Sequence, residues 1–531
     1  MVSALLPETF LQQNICFRSV FTLTAVSRYA ILQVAIKKHN RRGIFKMLKL
    51  NREKFRDKVY ACFIGKNIGG TMGTPYEGSR VMHDIKGFVT DPGEVLPNDD
   101  LDLQLVWLHA VENIGPYGLD CKKLSEFWIS YIVPYWNEYG LGKTNLTRGL
   151  QAPLSGDYMN NWRDSNGAWI RTEIWASLAP ASPALAAKYA IEDAKVDHGA
   201  GEGTIAAAFV AAMQSAAYAV PDVRKCIDIA LTQIPETSRV WQSVTKVIEC
   251  YNKGLTPVEA CKTILELNSD IGDGWFESPS NVAYTVLGLV YGEGDFKKSM
   301  IYAINCGDDT DCTGATVGAT LGIIGGTAGI PSDWRAYLGD NIITISLNRA
   351  TGLNPPKTCV ALTDRVVRQT PVMLTCGGDR VALTDGEDEI PADIAEEYMK
   401  DSDTKTALSR LLPYSFTTEL GFCTVTAIWD GAPDILPGGQ KKVTLRFDNN
   451  WKVYGNSPYF ISLNWLTPEG FTVEGKNSVR LTHFNAHNPA TEEVTFTITA
   501  PEHVEPENRI VVEVITTGRP TPGYVSLVLL G

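Results

Sequence analysis

The chain has 531 residues, enough for two or three domains at ~150 residues each, and its 44% hydrophobic and 20% charged residues exclude a disordered or fibrous chain. Forty-eight Lys and Arg against 60 Asp and Glu leave a net charge of −12, which excludes a general attraction to nucleic acid or an anionic membrane. An anionic substrate would therefore need a local positive element, such as a bound cation.

Residues 1–46 carry seven Lys/Arg, one acid (Glu8) and an apolar stretch, Val20 to Ile36, that Arg28 interrupts. A cleaved leader normally lacks such a charge. We expect an appended extension and a cytoplasmic protein, with export left open by this segment; no apolar run approaches the ~20 residues of a membrane span. From about Lys54 to Ala350 the spacing predicts helices: Leu101 to Val111, Leu124 to Trp136, Ser182 to Ala194, Thr204 to Ala219 and Val240 to Asn252. The segment from Thr204 is Ala-rich and apolar nearly all round, the mark of a helix buried in a bundle. Near Pro355 the pattern changes. After Phe422 it has period two, with Val443, Leu445 and Phe447, then Val494, Phe496 and Ile498, alternating with polar residues. Runs at Ile510 to Thr516 and Tyr524 to Leu530 complete an expected antiparallel, Ig-like β-sandwich. The expected organisation is an extension (1–46), a large all-α domain (47–355), a connector (356–420) with an acidic stretch at Asp385 to Ile390 and a helical piece at Ala392 to Met399, and the sandwich (421–531). The eleven cysteines are odd in number and form no CxxC pair, so buried free thiols are expected.

Three clusters bear chemistry. Asn98, Asp99, Asp100 and Asp102 crowd a turn that opens a helix, where one acid would suffice as a cap. Asp308, Asp309 and Asp311 precede a helix of Gly, Ala and Thr whose small side chains allow close approach, so these acids are expected inside the domain. Buried carboxylates repel one another and need a cation. Oxygen ligands without His or thiolate pairs favour Mg²⁺, Ca²⁺ or Mn²⁺, and two acid clusters suit two ions about 3.5–4 Å apart. The third element is Gly69-Gly-Thr-Met-Gly-Thr-Pro-Tyr-Glu-Gly, which either only permits tight helix packing or also delivers Glu77. It lacks the Lys-Ser/Thr ending of a phosphate loop.

In this order the three pieces closely resemble the ADP-ribosylglycohydrolase family, over about residues 54–350. The family pattern is Gly-Asp-Ala-x-Gly-x-Pro-x-Glu, then Ser/Thr-Asp-Asp-Thr, then Gly-Gly-Asp-Thr-Asp-Ser/Thr. The resemblance implies an all-α, metal-dependent glycosidase using two Mg²⁺ ions, with Mn²⁺ as the alternative. By motif, Asn98, Asp99, Asp100, Asp309 and Asp311 stand at the metal-binding positions, and Glu77 and Asp100 are the candidates for proton transfer. Asn166 and Gly167 resemble the loop turned to the substrate's phosphates, and His198 the mid-domain histidine of the substrate pocket; a lone His before a helix is otherwise a structural contact. The chain departs from the pattern at Asn98 and Cys312, which replace hydroxyl ligands, at Leu101 in place of Thr, at Gly70 in place of Asp, and at Asp308 in place of Gly.

The leading expectation is hydrolysis of a glycosidic bond of ADP-ribose attached to a protein side chain or small molecule. The alternatives are a glycoside hydrolase acting on another ribosyl, furanosyl or glycan substrate, and a binding protein that keeps metal without turnover. The loop at Asn166 separates them, because a pyrophosphate needs several convergent backbone N–H groups there and a plain sugar does not.

Overall fold

Small residues set the central packing of this molecule. In the computed structural model, which describes residues 47–272, 275–348, 352–378, 380–400, 402–449, 459–481 and 490–531, the helical region opens with a 22-residue helix, Arg52–Gly73, capped by Asn51, whose side chain accepts the Lys54 N–H at 2.9 Å. Glycines recur at Gly65, Gly69 and Gly73, one helical turn apart, and line one stripe of the helix. That stripe meets the helix Thr310–Gly325. A methyl group at Gly65 would lie 2.1 Å from Gly318 O, one at Gly69 2.1 Å from Gly314 C and O, and one at Gly73 2.3 Å from Thr310 O. The two backbones thus touch directly, and the antiparallel crossing brings the end of the first helix to the start of the second. The Thr310 hydroxyl locks that end by donating to Gly73 O at 2.9 Å.

The predicted helices occur as Asp99–Ile114, Cys121–Tyr131, Pro183–Ala194, Glu202–Ala217 and Arg239–Asn252. One was too long: the helix expected to reach Trp136 ends at Tyr131, since Pro134 disfavours helical geometry at Val133 and has no N–H to donate. The Ala-rich Glu202–Ala217 helix is buried along almost its whole length.

Beyond Pro355 a further helix, Cys359–Thr375, packs on the first one. The acidic stretch then returns to the start of the helical region. Glu389 and Lys49 exchange backbone hydrogen bonds of 3.1 and 2.8 Å, and Asp388 accepts the Asn51 N–H at 2.6 Å. The helical piece is Ile394–Tyr398.

The C-terminal strands form two antiparallel sheets. Five strands run in the spatial order Ser415–Glu419, Thr424–Trp429, Gln440–Asp448, Thr491–Thr499, Thr472–Glu474, with Val443 opposite Phe496. Four run in the order Gly523–Leu530, Glu507–Thr516, Tyr459–Leu466, Ser478–Leu481. The first strand starts ahead of the alternation that is readable after Phe422. Buried residues of both sheets, among them Val425, Leu445 and Phe496 of one and Leu463, Val512 and Leu527 of the other, join one apolar cluster. Leu150, Leu154 and Tyr158 of the helical region belong to the same cluster. Residues Lys49–Gly531 accordingly make one compact unit.

The ten described cysteines are free, and all but Cys376 are buried. No helix among the described residues is long and apolar enough to cross a membrane. The expectations for residues 1–46 lie outside the described residues.

Candidate active site

The helix crossing converges three turns on one cavity of about 460 Å³. The first turn carries Glu77. It is pinned to the 308 loop by paired backbone hydrogen bonds, Gly78 N to Asp308 O and Asp308 N to Ser79 O, both 2.8 Å. The second opens the helix Asp99–Ile114. Here Asn98 is the cap, its side-chain oxygen accepting the Asp100 N–H at 2.7 Å, which frees the following acids from capping duty. The third opens Thr310–Gly325, where Asp309 stands at the cap position but makes no side-chain capping bond.

Glu77, Asp99, Asn166, Gly167, Asp309 and Asp311 all line this cavity, with Trp136, Tyr139 and Phe276 as aromatic wall. Ligand atoms of Glu77, Asp309 and Asp311 lie within 4.8 Å of one another, and so do those of Asp100, Asp311 and Cys312. Asp309 Oδ2 accepts the Asn166 amide at 2.6 Å, and Asp311 Oδ2 accepts the Asn98 amide at 3.2 Å. The other oxygens, Asp309 Oδ1 and Asp311 Oδ1, are buried and have no hydrogen-bond partner. Asp99 Oδ2 accepts the Tyr139 hydroxyl at 3.0 Å. Asp100 lies deeper, fully buried behind the cavity wall.

Burial and mutual repulsion dominate the electrostatics. Desolvation, then the charges of Asp309, Glu77 and Asp100, hold Asp311 well above the usual carboxylate range. Asp100 is raised in the same way, although the Lys66 ammonium works against the shift. Glu77 keeps one side in water at the cavity mouth. Desolvation of its inner side, followed by the charges of Asp309 and Asp99, still pushes it up to about 8. No Lys or Arg lines the cavity among the described residues. A divalent cation would reverse each of these penalties, and the two unpartnered buried oxygens, held with Glu77 at ligand spacing, fit one.

Besides Asp100, two predicted site residues, His198 and Asn98, are not on the cavity wall. His198 is fully buried and is not part of the cavity wall; its Nδ1 lies 3.1 Å from Arg163 O and its Nε2 3.6 Å from Asp197 Oδ2. Asn98 reaches the acids from behind, through the amide bond to Asp311. Asp102 has a structural task, accepting the Ile345 and Ser346 N–H groups at 2.6 Å each. Asp308 holds a left-handed backbone (φ 65°) and pins the aromatic wall: its carboxylate accepts the Phe276 N–H at 3.2 Å and the Asn281 amide at 2.9 Å.

Sequence reasoning missed three contributors. Glu138 lines the cavity and accepts the Gly167 N–H at 3.1 Å; a side chain at 167 would collide with it at 2.2 Å. Burial, reinforced by the Asp197 charge, pushes Glu138 up to about 8. Tyr139 orients Asp99. Lys66, 2% exposed, points its ammonium at Ile170 O (2.7 Å), Glu173 (3.1 Å) and Asp100 (3.5 Å). A lone lysine between Gly65 and Ile68 in an otherwise small and apolar helix segment was the available signal.

Among solved structures, one described as an ADP-ribosylglycohydrolase-related protein complex is similar to 61% of this chain and 99% of its own, at 18% identity and a TM-score of 0.38. A FixG-related protein from Vibrio parahaemolyticus covers 22% of this chain and 97% of its own, at 10% identity and a TM-score of 0.17. No curated protein matches the chain. The model of the ADP-ribosylglycohydrolase family matches residues 51–370, more than half of the sequence, and the chain belongs to that family.

Proposed function

We propose that this protein is a cation-dependent hydrolase that cleaves the glycosidic bond of an ADP-ribosyl group, releasing ADP-ribose from a modified side chain or small molecule. The observation that carries this reading is the pair of buried, unpartnered oxygens, Asp309 Oδ1 and Asp311 Oδ1, beside Glu77 on the wall of a cavity without a cation of its own. Asp309, Asp311 and Glu77 would hold Mg²⁺ or Mn²⁺, with Asp99 and Asp100 adding negative charge and Asn98 and Asn166 fixing the two aspartates. Bound there, the cation would orient ribose hydroxyls and lower the pKa of a water nucleophile.

The remaining work falls to the chain's own groups. Glu77, exposed at the cavity mouth, is the carboxylate placed to take the proton of the attacking water, and the cation, by countering its repulsion from Asp309 and Asp99, would keep it ionised for that task. Asp100 is the weaker candidate, because it is fully buried behind the cavity wall. Tyr139 keeps Asp99 turned toward the cavity, and Trp136 and Phe276 exclude water around the sugar.

One observation favours a second reading, a ribosyl or furanosyl glycoside without a pyrophosphate. The Gly167 N–H is committed to Glu138, and the Ser165, Trp169 and Ile170 N–H groups bond to backbone oxygens, so four of this loop's donors are already taken. We read the two C-terminal sheets as a sandwich that serves as an accessory: their shared core supports it, and every cavity-lining residue lies between Thr74 and Ile345. The test is product analysis with ADP-ribosylated peptides, ADP-ribosylated small molecules and plain ribosides, with Mg²⁺ or with chelator. Release of ADP-ribose supports the first reading, and cleavage of plain ribosides alone supports the second. Tight binding of ADP-ribose without any cleavage would mean a binding protein.

A further inference from the structure

The acid cluster divides into two groups that differ in what surrounds them. The inner group, Asp100, Asp311 and Cys312, is wholly buried; the outer group is Glu77, Asp309 and Asp311. Of the two oxygens of Asp100, one is hydrogen-bonded and the other has no hydrogen-bond partner but faces a fixed ammonium. Oδ1 accepts the Cys312 S–H at 3.2 Å, and Oδ2 lies 3.5 Å from the Lys66 ammonium. That ammonium has nowhere else to go. It donates to Ile170 O at 2.7 Å and lies 3.1 Å from Glu173, whose carboxylate in turn accepts the Gln104 and Gln214 amides at 2.9 and 3.0 Å. The helix that carries Lys66 is held backbone to backbone at the adjacent Gly65.

From this we infer that Lys66 is a built-in cation serving the inner carboxylate, so that the protein holds one divalent ion, on Glu77, Asp309 and Asp311, and not two. The inference rests on the cation site proposed above. A divalent ion placed on Asp100 would sit beside a fixed ammonium and be repelled by it. Its third ligand would be a thiol, a poor donor to a hard cation, whose S–H already donates a hydrogen bond to Asp100. Unpartnered buried oxygens occur in both groups, on Asp100 in the inner, on Asp309 in the outer and on Asp311, which belongs to both; what sets the outer group apart is that its ligands are all carboxylates and no lysine or arginine stands on the cavity wall among the described residues.

The test counts Mn²⁺ ions on the full chain by equilibrium titration and reads their coupling by electron paramagnetic resonance. The expected result is one ion per chain with the spectrum of isolated Mn²⁺, lost in Asp309→Asn. Two ions per chain with a spin-coupled spectrum would overturn the inference and leave the cation site standing. No bound ion would instead overturn the cation site itself. The double variant Lys66→Met/Cys312→Thr removes the ammonium and restores a hydroxyl, and should raise the count from one to two with coupling. A folded double variant that still binds one ion would show that Lys66 is not the reason. If that variant does not fold, the count on the unaltered chain decides alone.

Discussion

Replacing Gly69 by Ala tests the helix crossing on which the site is built. The added methyl would lie 2.1 Å from Gly314 C and O and 2.4 Å from Ala315 N, whereas ordinary contacts begin at 3.4 Å, so the helices must part by 3.4 − 2.1 = 1.3 Å at that point. Both clashing groups are backbone, and no side-chain rotation relieves them. Overpacking of this kind costs about 3 kcal/mol, roughly 3 °C in Tm for a unit of this size. Because Asp311 lies one turn before Gly314, the same displacement moves it relative to Glu77, and Mn²⁺ affinity should fall about tenfold or more. Gly325→Ala is the matched control. It sits on the same pair of helices with nothing within 4 Å, and should be neutral or slightly stabilising through helix propensity. Differential scanning calorimetry and Mn²⁺ titration of both variants check this. Unchanged Tm and affinity in Gly69→Ala would refute the direct backbone contact.

Other expectations follow from individual contacts. Mg²⁺ or Mn²⁺ should raise Tm, and Asp311→Asn should abolish most of that gain while raising the stability of the ion-free protein, since it removes a repelled buried charge; thermal shift with and without chelator reads both. Glu138 has a folded pKa of about 8, so the native state binds more protons than the unfolded chain between roughly pH 4.3 and 8, and stability falls as pH rises through that window. In chelator, Glu138→Gln should flatten this slope in urea midpoints measured at pH 6 and pH 9; an unchanged slope would contradict the assignment. Deleting the sheets at residue 410 uncovers Leu150, Leu154 and Tyr158, at about 2 kcal/mol of lost burial each. The truncated chain should lose solubility and Tm, and a fully stable truncation would show that the shared cluster contributes little.

The helices and strands were legible because their apolar periodicity is strong, and the acids of the two Asp turns because more carboxylates stand there than capping requires. The sequence also left open whether the glycine run was only packing. Its spacing of four, Gly65, Gly69 and Gly73, is the packing, and that packing carries the Glu77 turn to Asp309 and Asp311. What could not be read was pairing across distance. Nothing near Glu138 announces that Gly167 will donate to it, nor does the segment around Lys66 name Glu173 and Asp100 as partners. His198 illustrates the reverse, since a histidine before a helix in a motif-like string is fully buried off the cavity wall, with its Nδ1 on Arg163 O. The helix ends at Tyr131 because Pro134 overrides the apolar spacing that continues to Trp136.

The central claim is that the crossing of two glycine-lined helices builds a divalent-cation site facing the substrate cavity. Its most direct test is the anomalous diffraction of a crystal of the full chain soaked in Mn²⁺. The account predicts a peak within bonding distance of Asp309, Asp311 and Glu77, on the cavity side of Cys312. A peak confined to other residues, or none with these carboxylates well ordered, would contradict it.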